Sequence, residues 1–511
     1  MSAKIQALII AAVGLLFAVI LGAQLGQNYH LIPVGIASAC IGTFLYVAFF
    51  RTVRFEALTL AFLVFGYIVG NRGFAQLSLK PNSPLYFGEL GMVACLFLIA
   101  TRRALTREPV FPKIRLAWAI AAFLVIGGLR LCLDTATSDK TQMMVAIRDS
   151  AVVYYALFFF IAYRIAQNTS ARKFIERTML AAFVLLIPVA AIQIWDPDIL
   201  TKLTFRAYPI IFYKGDLLAT FLGIGAFYLF LTPSNGVTKL FLRSCSVASL
   251  GLMLFAMSRA ALSGFICAAG LLIVAKRPRF IVYQLGVAVV ALLAIAFLEL
   301  SNIHFESDFF RNLSDKVSSI VDISSTGHYR SRAGDVSAAN NEFRTVWWTT
   351  VFNETMQKGP WFGLGFGYDL TSSFMIAYYP TGGEDTATTR SPHSIIFTIL
   401  GRMGIIGLIS FLVVLFFITR LAFAAARSVA RKERSEQTLI PWCAVISLLI
   451  AAMFGVVLEG PMGGILFWVF LGLAVSPLLP EKEKAASENK RQGVARPVLP
   501  EPTLVAHRRP L

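Results

Sequence analysis

Residues 393–420, HSIIFTILGRMGIIGLISFLVVLFFITR, form the apolar run that decides the fold. A run of about 20 predominantly apolar residues can cross a hydrocarbon core of ~30 Å as a helix. Inside such a core every backbone N–H and C=O group must be satisfied within the segment, and a helix meets that requirement. The stretch therefore predicts a membrane-spanning helix.

The rest of the chain repeats this pattern, with apolar runs separated by short charged clusters. The runs lie near residues 5–25, 31–50, 55–70, 86–101, 115–132, 150–167, 178–195, 215–232, 239–257, 259–275, 279–299, 393–420, 438–457 and 461–479. Of the 511 residues, 57% are apolar and 14% are charged, whereas a soluble domain has about 25% charged residues. We predict an all-α polytopic membrane protein of about 14 transmembrane helices, with 12 as the lower bound, and exclude a soluble enzyme.

Lys and Arg residues are distributed unevenly between alternate connections. With the N-terminus in the cytoplasm, 29 of the 46 basic residues and 9 of the 28 acidic residues fall on the cytoplasmic side. Because cytoplasmic loops are enriched in Lys and Arg, we predict that both termini are cytoplasmic. The net charge of +18 thus reflects topology and contact with membrane lipid, and it predicts no nucleic acid partner.

The division of the chain follows from these runs. Residues 1–257 hold N-terminal transmembrane helices, 258–420 form a core with a long periplasmic loop at 300–392, and 421–479 hold the last two transmembrane helices. Residues 480–511 are charged and rich in proline, which predicts a disordered cytoplasmic tail. The six cysteines stand singly, so neither a disulfide framework nor a metal site is predicted.

The long loop joins the helix ending near 299 to the helix starting near 393, and its two parts differ. Residues 303–340 are polar and predict mostly loop, whereas 340–370 read NNEFRTVWWTTVFNETMQKGPWFGLGFGYDL. An approximate helical period predicts an amphipathic helix that ends before Gly359-Pro360. The period is carried by Phe343, Val346, Trp347, Val351 and Met356. The glycine-rich turn that follows has no preceding strand and opens no helix, so a nucleotide-binding loop is not predicted.

This order of features resembles the O-antigen ligase and O-antigen polymerase superfamily of bacterial membrane glycosyltransferases. The resemblance covers about residues 255–410. It is carried by Arg259 in MSRAALSG, Arg344 in FRTVWW, the GPWFGLGFG turn at 359–367, and His393 opening HSIIFTILGRMGIIGL. Members usually have His-Asn where this chain has His393-Ser394.

The resemblance implies a transfer reaction at the periplasmic face of the bacterial inner membrane. A glycan on a polyprenyl diphosphate carrier, such as undecaprenyl diphosphate, moves to a hydroxyl of lipid A-core, of another repeat unit or of a protein. No metal and no cofactor are expected. The Ser394 departure and the length of 303–340 favour polymerisation of O-antigen or exopolysaccharide over ligation in lipopolysaccharide biosynthesis. A flippase and a chain-length regulator are the partner proteins that this implies.

Three residues suit that chemistry. The guanidinium groups of Arg259 and Arg344 can contact diphosphate oxygens in a bidentate manner, and His393 can accept the proton of the acceptor hydroxyl. Each also has a structural interpretation: an arginine that extends to the interface, a solvated residue of an amphipathic helix, and a helix-start residue, respectively. Secondary candidates for substrate binding are Arg148, Arg206, Lys214 and Asp216.

The alternative function is transport, as in a lipid-linked oligosaccharide flippase with a similar number of helices. A flippase is expected to have charged residues deep within its helices and an internal repeat. The sequence shows few such charges and no evident repeat. A structural scaffold of an export complex would leave Arg259, Arg344 and His393 without a role, so a transferase is favoured.

Overall fold

The computed structural model describes residues 54–78, 86–106, 111–205, 208–256, 258–300, 332–378 and 390–476. The helices are α1 Phe55–Val69, α2 Arg72–Ala75, α3 Phe87–Thr106, α4 Arg115–Ala136, α5 Lys140–Asp149, α6 Ala151–Tyr154, α7 Leu157–Ala166, α8 Thr169–Trp195, α9 Pro197–Thr201, α10 Gly215–Leu231, α11 Gly236–Phe255, α12 Arg259–Val274, α13 Arg279–Leu300, α14 Arg332–Lys358, α15 Ser372–Tyr378, α16 Ile395–Ala430, α17 Ile440–Met453 and α18 Pro461–Val475. A 3₁₀ turn, Glu436–Leu439, leads into α17. In the described residues the only strands are β1 Thr204–Phe205 and β2 Tyr208–Pro209, a short antiparallel pair with Thr204 opposite Pro209.

The predicted all-α class is confirmed. In the part of the chain that the structure describes, five helical segments are long and apolar enough to cross a membrane: α4, α8, α11, α16 and Glu436–Met453. Five shorter apolar helices accompany them: α1, α10, α12, the part of α13 up to Val289, and α18. The runs at 5–25 and 31–50 and the tail at 480–511 lie outside the described residues, and about 14 spans stays a prediction.

Two predicted spans differ in shape or length from the structure. The run at 150–167 is not one straight helix, because the helical stretch Lys140–Tyr154 meets Leu157–Ala166 at an angle of 42°. The run at 178–195 lies in a helix that already begins at Thr169. Its start is fixed by Asn168, whose side chain accepts a hydrogen bond of 2.9 Å from the Ala171 N–H.

Helix α16 departs most from the prediction of a single helix opening at His393. It begins at Ile395, runs to Ala430 and is interrupted at Gly404, which has φ 64° and ψ −162°. Such a backbone conformation is open almost only to glycine. At the interruption, the Leu364 N–H donates to Gly401 O at 2.7 Å and the Ile405 N–H donates to Pro360 O at 2.9 Å. The glycine-rich turn thus supplies hydrogen bonds that a continuous helix would make internally.

Close helix packing in the main core depends on small residues, as is common in membranes. Helix α12 packs on α17, where a Cβ added to Gly264 would lie 2.6 Å from the Ser447 carbonyl oxygen. Helix α18 packs on α7, where a Cβ added to Gly472 would lie 2.7 Å from the Phe159 carbonyl oxygen. Larger residues at either glycine would force these helix pairs apart.

Residues 332–378, here named the loop segment, have a small aromatic core of their own. The prediction of mostly loop up to 340 was wrong for 332–340, because α14 begins at Arg332, but its end at Lys358 is where the Gly-Pro pair predicted it. Trp347 stacks on Phe374 with ring centroids 4.5 Å apart, and its Nε1 donates to Leu370 O at 2.9 Å. Helix α14 also packs on α15 and α16, which holds the loop segment against the membrane helices.

Candidate active site

His393 lies in the turn that precedes α16. Its φ of 55° is in the left-handed region, which few residues other than glycine adopt, although histidine, asparagine and aspartate do so more often than the rest. The imidazole packs against Trp347, with ring centroids 5.5 Å apart, and against Phe343 at 6.2 Å. Trp348 Nε1 donates to Pro392 O at 2.8 Å, which fixes the turn against α14. His393 is therefore held in place by α14 and does not cap α16, whose N-cap is Ser394.

Burial and, after it, nearby charges set the protonation state of His393. Burial and the positive charges of Lys214 and Arg344 lower its pKa from 6.5 to about 4, while Asp216 acts in the opposite direction. The imidazole is consequently neutral at physiological pH, the form that can accept a proton. Among the described residues its buried Nδ1 has no hydrogen-bond partner.

Lys214 and Asp216 reach the histidine from the start of α10. Lys214 is the N-cap residue of that helix, and its backbone N–H donates to Asn71 Oδ1 at 3.4 Å, which ties it to the segment after α1. Its Nζ donates to Val456 O at 3.2 Å. Burial lowers the pKa of Lys214, and Asp216 opposes that shift, so the two charges stabilise each other beside the imidazole.

The two predicted arginines approach the same place from α12 and α14. Arg259 is the first residue of α12, as predicted, and Ser258 caps that helix by accepting a hydrogen bond of 3.3 Å from the Ala261 N–H. Arg259 Nη1 donates to Asn341 Oδ1 at 2.9 Å. Asn341 and Arg344 are three residues apart on α14 and so share one side of it. One hydrogen bond thus links Arg259 to the helix that carries Arg344.

One of the predicted substrate-binding residues, Arg148, is not brought to this site. Arg148 is exposed near the end of α5. Arg206 lies outside the described residues. The structure therefore gathers His393, Arg344, Lys214 and Asp216, with Arg259 adjacent.

Sequence reasoning missed Glu459, which lies in the connection between α17 and α18. Its Oε1 accepts hydrogen bonds of 3.0 Å from both Ser391 Oγ and Thr398 Oγ1. Burial raises the pKa of this carboxyl group, and the nearby Lys214 opposes the rise. In the sequence, Glu459 is recognisable as a single acidic residue between the apolar runs 438–457 and 461–479. Glu459 thus holds Ser391, in the turn that carries His393, against Thr398 of α16.

In the glycine-rich turn at 359–367, the backbone amides of residues 363–367 already donate hydrogen bonds within the protein. The Phe366 N–H donates to Asp134 Oδ2 at 2.7 Å, and the Gly367 N–H donates to Asp149 Oδ2 at 3.1 Å. A phosphate-binding loop would keep such amides available for phosphate oxygens. The turn therefore attaches the loop segment to α4 and α5.

The chemical capacity of the site follows from this charge arrangement. Lys214 and Arg344 lie beside the imidazole together with Asp216, and an anionic group bound between the two cations would be stabilised. Partial burial strengthens that interaction. A neutral imidazole stands beside the cations and can accept a proton. Anion binding next to a proton acceptor is suited to displacement of a phosphorylated leaving group by a hydroxyl.

Residues 244–412 match the family model described as O-antigen ligase. The chain carries an O-antigen ligase domain. This confirms the predicted resemblance to the O-antigen ligase and polymerase superfamily. No curated protein matches the chain.

The O-antigen ligase domain contains Arg259, Arg344 and His393, whereas Lys214 and Glu459 lie on either side of it in the sequence. Together with the apolar helices, the domain makes the chain a multi-pass bacterial membrane protein of the glycosyltransferase type. The substrates of this class are, in general, a lipid-linked glycan and an acceptor.

Proposed function

We propose that the chain transfers a glycan from a polyprenyl diphosphate carrier to a hydroxyl acceptor at the periplasmic face of the inner membrane. The observation that carries the proposal is the placement of the His393 imidazole beside the charged groups of Arg344, Lys214 and Asp216. The O-antigen ligase domain, which includes two of these four residues, supports it.

The cations bind the leaving group in this proposal. Negative charge develops on the diphosphate as its bond to the sugar breaks, and preorganised positive groups in a partly buried site stabilise that charge. Arg344 offers a planar fork for two phosphate oxygens, and Lys214 offers a point charge. Arg259 completes the diphosphate site from α12. Arg148 and Arg206 stay predictions for binding of diphosphate or sugar, and the mechanism does not depend on them.

His393 acts as the proton acceptor. The acceptor oxygen attacks the anomeric carbon of the donor sugar, the bond from that carbon to the diphosphate oxygen breaks, and its electron pair stays on the diphosphate. The hydroxyl proton passes to the imidazole and then to solvent. Glu459 is a positioning residue here, because its hydrogen bonds to Ser391 and Thr398 hold the turn that carries His393.

Among the possible acceptors we favour the hydroxyl of another repeat unit, so that the product is an O-antigen or exopolysaccharide polymer. The support comes from the sequence, in the His393-Ser394 pair and the polar insertion at 303–340. Transport of the lipid-linked glycan is the alternative. It would consume no donor and release no polyprenyl diphosphate.

A reconstituted reaction tests the proposal. Purified protein in nanodiscs would receive the lipid-linked repeat unit of its own bacterium, alone or together with lipid A-core, in excess EDTA. We expect polymer and free polyprenyl diphosphate without lipid A-core, and no effect of the chelator. Product only with lipid A-core would indicate a ligase, and donor that moves between leaflets of a vesicle without being consumed would indicate a flippase.

A further inference from the structure

A groove of about 490 Å³ lies at the end of α14, on the part of the loop segment that the proposed reaction does not use. It is lined by Arg130, Lys358, Tyr368 and residues 359–364. The groove holds the backbone of the glycine-rich turn, two cationic side chains and a phenol. Nothing in the mechanism above accounts for it.

Two aromatic side chains of this groove are exposed on the protein surface. Trp361 is 61% exposed and Phe362 is 59% exposed. Their backbone is fixed, since Trp361 O accepts a hydrogen bond of 3.2 Å from the Ile406 N–H and the Gly363 N–H donates to Gly359 O at 2.8 Å. A rigid, exposed aromatic pair loses little conformational freedom when it binds a ligand.

The charged groups of the groove are matched by partners. Arg130 Nη2 lies 2.9 Å from Asp134 Oδ1, and Lys358 Nζ lies 2.6 Å from Glu354 Oε1. The groove therefore offers hydrogen-bond donors without the surplus positive charge of the His393 site. An anionic lipid headgroup requires uncompensated cations, so a neutral ligand fits these pairs better.

The groove and the His393 site lie along the same helix, α14. Trp347, which contacts His393, and Lys358 are eleven residues apart on that helix, a distance of about 16 Å at ~1.5 Å per residue. An extended saccharide chain whose reacting sugar lies at His393 would reach the groove after several sugar units. Pyranose rings have an apolar C–H face that packs on aromatic rings and hydroxyls that bond to polar groups at their edge.

We propose that this groove is a distal glycan subsite that binds the saccharide chain several units away from the reacting sugar. Trp361 and Phe362 form the stacking surface, and Lys358 and Arg130 donate hydrogen bonds to sugar hydroxyls. The Tyr368 hydroxyl donates its proton to Glu354 Oε1, so its oxygen accepts a hydrogen bond from the sugar. This proposal rests on the proposed transferase function. It adds that binding in the groove influences the length of the saccharide product. Long acceptors gain binding energy here that short acceptors cannot reach.

Acceptor length provides the test. The probes are fragments of the surface polysaccharide of the source bacterium, containing either one repeat unit or several. Trp361→Ala and Phe362→Ala are compared with Trp361→Phe, which keeps an aromatic ring, and with Trp195→Ala, a control at a tryptophan that is 92% exposed at the end of α8. Transfer rates are measured in nanodiscs of neutral and of anionic lipid.

We expect Trp361→Ala to raise KM for the long fragments about tenfold, one order of magnitude being about 1.4 kcal/mol. The kcat value and the KM for single repeat units should stay within about twofold, and Trp361→Phe should recover most of the loss. An equal loss for both lengths, an unchanged KM for long fragments, or a loss that follows the anionic lipid content would overturn the proposal.

Binding of the same fragments to His393→Asn protein, measured by equilibrium dialysis, separates this proposal from the proposed function. If the wild-type protein transfers to neither acceptor, the proposed function fails, and this binding measurement alone decides the subsite. Long fragments should then bind His393→Asn more tightly than short ones, and adding Trp361→Ala should remove the difference. Equal affinity for both lengths would rule the subsite out.

Discussion

Nη2 of Arg402 lies 2.8 Å from Oδ2 of Asp149, and the two side chains are only 3% and 10% exposed. Arg402 also donates hydrogen bonds to the backbone carbonyls of Gly365, Tyr368 and Arg390. One buried guanidinium thus connects α16, α5 and the glycine-rich turn. A charged residue in an apolar run is often taken as functional, but here every contact is structural.

The first prediction concerns this ion pair. Arg402→Met should destabilise the protein by about 3–5 kcal/mol, because it removes the nearer cation of the buried Asp149 carboxylate and leaves only Arg390, 3.7 Å away. Thermal unfolding in detergent, followed by size-exclusion chromatography, would measure the loss. Arg420→Met, at an exposed position of the same helix, is the matched control and should unfold like the wild type. Equal stability of the two variants would contradict the structural role.

The second prediction separates the catalytic from the structural interpretation of His393. Asparagine adopts a φ near 55° more readily than most residues, so His393→Asn should fold and insert normally. It cannot accept a proton at neutral pH, and the rate should fall by about 10²–10⁴-fold. Lipid-linked repeat units would then accumulate and can be quantified by mass spectrometry. Normal polymer output from this variant would show that His393 has a structural role and is not the proton acceptor.

The third prediction concerns pH. A proton acceptor must be neutral, and the His393 pKa of about 4 keeps it neutral down to low pH in the free protein. The kcat/KM value reports the free enzyme, so it should stay level through the neutral range and fall only as the pH approaches about 4. Bound diphosphate adds negative charge and raises the pKa of the imidazole, so kcat should fall at a higher pH than kcat/KM. Initial rates over a pH series test this. A midpoint near pH 6.5 in kcat/KM would show that the pKa of His393 is not lowered in the free protein.

The fourth prediction addresses the two arginines. Arg259→Lys and Arg344→Lys should each reduce turnover by about 10²–10³-fold with normal insertion, because a point charge does not replace a bidentate fork. Arg172→Lys on α8, where Arg172 pairs with Glu176, serves as the control. Near-normal turnover of both Lys variants would remove diphosphate binding from the proposal. Arg148→Ala and Arg206→Ala would test the two remaining predicted residues.

A fifth prediction tests the orientation of the chain. In a cysteine-free background, Thr349→Cys on α14 should react with a membrane-impermeant thiol reagent added to spheroplasts. Gln437→Cys, before α17, should be protected until the membrane is opened. Both positions are exposed on the protein surface, so a difference in labelling would report only the side of the membrane on which each one lies. The reverse pattern would place His393 in the cytoplasm and exclude a periplasmic reaction.

Local patterns in the sequence predicted the elements that carry the site. Apolar runs located the helices, Ser258 located the start of α12, and Gly359-Pro360 located the end of α14. These features were accessible because caps, helical period and helix-breaking residues act over a few positions. The family resemblance, confirmed over 244–412, identified Arg259, Arg344 and His393.

Contacts between distant residues were not accessible in the same way. The interruption at Gly404 depends on the docking of Pro360 and Trp361, which lie about forty residues earlier in the chain. The lowered pKa of His393 depends on Lys214, from another helix, and the role of Glu459 depends on Ser391 and Thr398. No periodicity relates these positions, so only the packed structure brings them together.

The docking of the glycine-rich turn at Gly404 has a consequence for biogenesis. Without the turn, the backbone groups of Gly401 and Ile405 at the interruption would face the apolar interior unpaired, which is costly. A chain whose turn fails to dock would therefore carry an incomplete membrane helix and become a target for membrane proteases. Substitution of Gly363, whose φ of 75° and close contact with Met403 N leave no room for a side chain, should accordingly reduce the abundance of the protein before any effect on turnover can be measured.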